Sequence, residues 1–160
     1  MKKLPFFLLL LCLLCGCAAK KTVDVPDTNG DGKLTCSLEV RCDTLLAHLA
    51  DFEKADLVPA DGVLLSERTA HFSAGESVFD VFRRVLREEK LHFEYTDTKI
   101  YDTVYIEGIG NLYEQDCGAR SGWMFSVNGV YPALGCSAYT LADGDVIVFR
   151  YTCDLGEDLR

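Results

Sequence analysis

The chain has 160 residues, enough for one ordinary domain plus attachments. Its 16 Lys and Arg stand against 25 Asp and Glu, a net charge of −9, which excludes a nucleic-acid partner because phosphate binding needs a basic face. Hydrophobic residues make up 49% and charged residues 26%, so the chain is globular rather than disordered, and eight cysteines point to an oxidising compartment.

Residues 1–16 read as an export leader. Lys2 and Lys3 form a positive start, and Leu4 to Leu14 is an apolar run too short to span a bilayer as a helix. The run ends in Leu14-Cys15-Gly16-Cys17, which resembles a bacterial lipobox with Cys17 as the lipidated residue. The resemblance implies a lipid anchor on the extracytoplasmic face of the cell membrane. The alternative is an ordinary signal peptide cut near Ala18-Ala19. The leader takes two basic residues and no acid, so the remaining body is more acidic still, and acidic surfaces stay off anionic lipid.

Residues 17–33 have no apolar periodicity and read as a flexible acidic tether. Asp27 to Gly32 matches the first half of a calcium loop. The bidentate carboxylate should then fall at position 38, which is Leu38, with Glu39 one step late. A solvated linker is the simpler reading.

The domain proper is expected over residues 34–160. From Thr35 to Cys42 the residues alternate, with Cys36, Leu38, Val40 and Cys42 on one face, which predicts a half-buried strand. Thr44 is placed to cap a short helix carrying Leu45, Leu46, Leu49 and Phe52. Val58 to Gly62 supplies turn chemistry, and extended segments follow at Val63 to Leu65 and Ala70 to Phe72. Ser77 with Asp80 forms a capping-box start for the main helix, in which Val78, Val81, Phe82, Val85 and Leu86 make one stripe. Further strands are predicted around Leu91 to Tyr95, Trp123 to Val127 and Asp145 to Cys153. Asn128-Gly129 predicts a hairpin turn and Asp143-Gly144 a second turn. This order gives an α+β fold: a β-grasp-like mixed sheet, its first and last strands parallel at the centre, with one main helix on one face.

Ser121 to Gly129, Gly135-Cys136, Tyr139 to Ile147 and Arg150 to Thr152 together resemble the transcobalamin-like C-terminal domain family. The resemblance implies a β-grasp-type domain that binds a soluble ligand and does no catalysis. In transcobalamins the related domain closes over one face of cobalamin, so cobalamin is one ligand the resemblance admits. Those carriers complete the site with a large helical domain, for which this chain has no room. The contact region is expected around Tyr113, Trp123, Tyr131 and Tyr139. A protein–protein or adhesion module, docking a surface protein through a sheet edge or the Trp123 hairpin, is the second reading.

With Cys12 and Cys15 in the leader and Cys17 lipidated, Cys36, Cys42, Cys117, Cys136 and Cys153 remain, an odd number. Cys117 with Cys136, and Cys42 with Cys153, are the expected disulfides. If the first and last strands are antiparallel, Cys36 replaces Cys42. No metal site is expected: His48, His71 and His92 lie far apart, and no two domain cysteines have zinc-finger spacing. No catalytic motif is legible either. Gly118 to Gly122 would need glycine at Ala119 to make a nucleophile elbow.

Overall fold

The computed structural model describes residues 33–98 and 103–160. The leader, Cys17 and the acidic spacer up to residue 32 lie outside the described residues. Among the described residues, no helix is long and apolar enough to cross a membrane.

Among the described residues, seven strands and one α-helix make an α+β fold, with β1 at Leu34–Arg41, β2 at Val63–Phe72, α1 at Val78–Glu88, β3 at Phe93–Thr98, β4 at Thr103–Ile109, β5 at Leu112–Tyr113, β6 at Gly122–Val127 and β7 at Asp145–Thr152. They form two sheets, ordered β2-β1-β7-β6 and β3-β4-β5. At the centre of the larger sheet β1 and β7 run parallel, with Leu38 opposite Ile147 and Val40 opposite Phe149. The pairs β1–β2 and β6–β7 are antiparallel.

The alternation in β1 buries Cys36, Leu38 and Val40 and leaves their neighbours half-exposed. Ile147, Phe149 and Tyr151 of β7 continue the same buried layer. The apolar stripe of α1 packs there: the Phe82 ring lies 4.4 Å from Phe149, and Phe93 meets Phe82 edge-on at 5.2 Å. Val78, Val81, Phe82 and Leu86 lose all contact with water. Burial of each such side chain stabilises the fold by about 1.5–3 kcal/mol before entropy is counted.

The start of α1 follows its sequence signature. Ser77 Oγ accepts from the Asp80 amide at 3.2 Å, and Asp80 Oδ2 accepts from the Ser77 amide at 3.0 Å. The next two amides, which no helical carbonyl can serve, donate outside the helix. Val78 N donates to the Tyr139 carbonyl and Phe79 N to the Cys136 carbonyl, both at 3.0 Å. The loop before β7 is thereby fixed to the helix start.

Other local readings change. Thr44 caps nothing: Asp43–Ala47 is a short 3-10 helix without a side-chain cap, and Thr44 Oγ1 donates to the Tyr151 carbonyl at 2.7 Å. The two extended segments after Gly62 are one strand, β2, whose charged middle stays in water because it lies at a sheet edge. Asn128 and Gly129 have the positive φ values of the predicted turn, but the returning arm is a single bridge, Val127 to Val130. β7, fifteen residues further on, takes the pairing with β6 instead. The Asn128 side chain closes that junction, donating to Asp145 and accepting from the Val146 amide at 2.9 Å.

Candidate functional site

Where β4 passes β6, the two sheets leave an apolar cleft of about 190 Å³. Val104 and Ile106 line it from β4, Trp123 and Phe125 from β6, Phe149 from β7, and Leu134 from the loop before β7. Phe125 and Phe149 stack at 5.7 Å. Leu134 is 56% exposed, an unusual state for a large apolar side chain beside a concave surface.

The loop that forms one wall is held at both ends. Ser137 Oγ accepts from the Val104 amide at 2.9 Å and lies 3.0 Å from Thr103 Oγ1, covering the edge of β4. Gly135 comes so close that a Cβ there would sit 1.7 Å from Thr103 Oγ1. Only glycine fits this approach. The loop's other end is fixed by the α1 amides described above.

Trp123 is nearly buried. Its Nε1 donates to the Leu112 carbonyl at 2.9 Å and its ring meets Tyr151 edge-on at 5.3 Å. Tyr151 in turn donates to the Tyr113 carbonyl at 2.7 Å, and its oxygen lies 3.0 Å from Ser121 Oγ. Burial, the largest influence, pushes the Tyr151 hydroxyl up to about 12, so it stays a donor.

The four aromatics expected to form one contact region do not converge. Trp123 lines the cleft. Tyr139 packs edge-on against Phe125 at 6.3 Å and does not line it. Tyr113 lies elsewhere, its hydroxyl donating to Glu94 at 2.7 Å and Lys54 sitting 4.9 Å above its ring. Tyr131 lies near the Arg150 guanidinium instead. The pleat separates them: residues far apart in sequence reach one wall only when their strands adjoin on that face. Sequence reasoning missed Val104, Ile106, Leu134 and Phe149 as cleft residues. Val104 and Ile106 alternate with Tyr105 and Glu107, a strand signal present in the sequence but not used.

A larger open groove of about 750 Å³ follows the polar side of α1, where four of the six charged lining residues pair with one another, Arg84 with Glu76 at 2.8 Å and Arg83 with Asp80 at 3.7 Å.

The five domain cysteines are free thiols. The pairs expected from sequence, Cys117 with Cys136 and Cys42 with Cys153, are not the ones the tertiary structure puts side by side. Cys36, Cys42 and Cys136 are buried in the core, and burial pushes their thiols up to about 11, 11 and 12. Cys117 instead faces Cys153, and His48 joins them: the His48 ring nitrogen and the two sulfurs all lie within 4.8 Å of one another. Spacing along the chain does not join these three residues; the fold does. The Cys153 thiol is pushed up to about 12, first by burial, then by the adjoining Cys117.

Residues 75–153 match the family model described as Domain of unknown function (DUF4430). All six cleft residues named above fall inside that segment, whereas β1 and β2 precede it. Haptocorrin, in a crystal structure in complex with Cbi, shares the fold at a TM-score of 0.56 and 15% identity. The similarity covers 79% of this chain but only 27% of the haptocorrin chain. This chain thus matches about a quarter of that protein's length. A candidate metal binding protein from Ruminococcus gnavus is 13% identical over 74% of this chain and 96% of that one, at a TM-score of 0.45, too low to carry an argument. No curated protein matches the chain significantly.

Proposed function

We propose that the chain is a non-catalytic, β-grasp-type binding domain that seats an apolar, ring-sized part of a soluble ligand in the β4–β6 cleft. The β-grasp reading is supported by the parallel β1–β7 pair at the sheet centre with α1 packed on one face. The observation that carries the function is the concavity beside Trp123, with the exposed Leu134 at its wall. Drug-sized sites usually enclose roughly 300–1,000 Å³. At about 190 Å³ this cleft takes one ring or one edge of a larger molecule. A corrinoid is a special case, held on one side only, with any other half of its site supplied by a second body. We further propose the context read from the leader: an extracytoplasmic domain tethered through lipidated Cys17.

Trp123 is the chain's one tryptophan and reports on the cleft directly. Ligands identified by mass spectrometry of co-purifying material should change its emission on titration, and Leu134→Asp should weaken that binding at least tenfold while leaving the circular dichroism unchanged. Unaltered affinity in Leu134→Asp would remove the cleft from the proposal. Titration with cobalamin at micromolar protein tests the corrinoid case, and an unshifted absorption spectrum ends it.

The second reading, a protein docked on the Asn128-Gly129 hairpin, draws on Val130, which follows that turn and is 67% exposed. Val130→Asp would then abolish partner binding and leave small-molecule titrations untouched.

A further inference from the structure

We propose that His48, Cys117 and Cys153 form a zinc site, with two thiolates and one imidazole as ligands and a fourth position open to water. Their ligand atoms lie within 4.8 Å of one another, although the three residues come from separate parts of the chain. In a tetrahedral site with Zn–S near 2.3 Å and Zn–N near 2.0–2.1 Å, donor atoms stand about 3.3–3.8 Å apart. Side-chain rotation of about an ångström closes the difference. Two thiolates and an imidazole are a borderline-soft set that suits zinc over calcium or magnesium.

Each ligand sits on a backbone held by independent contacts. The Cys117 amide donates to Ser121 Oγ at 3.0 Å, inside the turn in which Ser121 N donates to the Gly118 carbonyl. The Cys153 amide donates to Asp158 Oδ2 at 2.8 Å, just past the end of β7. His48 closes the 3-10 helix, its amide donating to the Leu45 carbonyl at 2.9 Å, and Thr44 of the same helix is hydrogen-bonded to the Tyr151 carbonyl, two residues before Cys153. The helix therefore carries His48 to the end of β7. Three anchored ligands with a small spread make a preorganised site rather than a chance meeting of flexible side chains.

The two cysteines are half-buried and His48 is exposed, so the open side of the site faces water at the imidazole. That gives an entry path and a place for the fourth ligand. Asp158 adds negative charge beside Cys153, and the chain's overall charge of −9 favours cations. On binding, the two thiols release their protons to solvent and two Zn–S bonds form with no change of oxidation state. The site is distinct from the β4–β6 cleft and does not depend on it.

The test uses the full chain with Cys12, Cys15 and Cys17 replaced by serine, so that leader thiols cannot bind metal. The protein is reduced, stripped with a chelator and titrated with zinc and, separately, cobalt(II). One zinc per chain is expected, with thiolate-to-cobalt charge-transfer absorption in the near ultraviolet. Cys117→Ser and Cys153→Ser should abolish that absorption, and His48→Ala should weaken zinc binding at least tenfold. Cys136→Ser, a buried thiol outside the cluster, should retain both signals, and circular dichroism identifies any variant that fails to fold. Absence of the charge-transfer band in folded, reduced protein overturns the proposal, as does zinc binding indifferent to all three ligand variants. A Cys117–Cys153 disulfide in protein isolated without reductant from its host overturns it too, because the pair is then a covalent staple.

Discussion

Trp123 of β6 donates its indole N–H to the Leu112 carbonyl of β5 at 2.9 Å, so one side chain of the larger sheet completes the hydrogen bonding of the smaller one. This bond fixes the ring at the wall of the β4–β6 cleft and sets the distance between the sheets there.

Trp123→Phe keeps an aromatic ring but leaves the Leu112 carbonyl without that donor. A buried group left unpaired costs about 1–3 kcal/mol. Urea denaturation followed by circular dichroism should show a loss in this range. A loss below about 0.5 kcal/mol, within the spread of an ordinary surface substitution, would mean that the bond does not set the sheet spacing.

The start of α1 rests on a reciprocal pair, so its two members should not act independently. Ser77→Ala is expected to cost about 1 kcal/mol, typical of a lost N-cap. Asp80→Ala should cost a similar amount, and the double variant less than the sum of the two. Strict additivity in a double-mutant cycle would refute the coupling.

Asp43 ties the first 3-10 helix to β7. Arg150 reaches it through Nη2 at 2.7 Å and Nε at 3.4 Å, and Arg41 through Nε at 3.3 Å. Burial would raise the Asp43 carboxyl, but the Arg150 hydrogen bond and the charges of Arg150 and Arg41 outweigh it and hold the group below its ordinary value. A carboxyl depressed in the folded state stabilises fully above its unfolded value, near ~3.9, and that contribution is lost as pH falls through the folded value. Thermal unfolding from pH 7 down to pH 2 should therefore show Asp43→Asn less stable at neutral pH, with the gap to the parent closing in acid. A gap constant with pH would show that the ion pair adds nothing.

Gly62 and Gly144 both have positive φ, near +68° and +81°, but their surroundings differ. A Cβ at Gly62 would lie 2.5 Å from the Asp43 Cα, whereas one at Gly144 would meet nothing within 4 Å. Gly144→Ala should cost only the backbone strain, about 1–2 kcal/mol. Gly62→Ala adds a backbone clash and should cost clearly more, displacing the contact between the Cys42 amide and the Gly62 carbonyl. Comparing the two denaturation midpoints checks this; equal losses would show that the chain near Asp43 yields freely.

Much of the fold was legible before any coordinates, because the signals are local. Alternation announced β1, β6 and β7; Ser77 and Asp80 announced the start of α1; Asn128-Gly129 announced a turn. Each is a matter of neighbouring residues and backbone geometry. Where a local signal competed with a distant partner, the partner prevailed. Thr44 bonded to β7 rather than capping its own helix, and Val130 formed one bridge while β7 took the edge of β6.

The sites were legible only in composition. Sequence alone determined that the domain has one amphipathic helix on a mixed sheet, five cysteines, three histidines and one tryptophan. Which of them meet was decided by tertiary structure. Cys117 and Cys153 are 36 positions apart and His48 lies before both, so no spacing rule joins them; the parallel entry of β7 beside β1, with the 3-10 helix bonded to its end, does. Likewise Tyr113 and Tyr131 parted from Trp123, and Val104 and Leu134 joined it, because the crossing of two sheets selects wall residues by position in space and not by order along the chain.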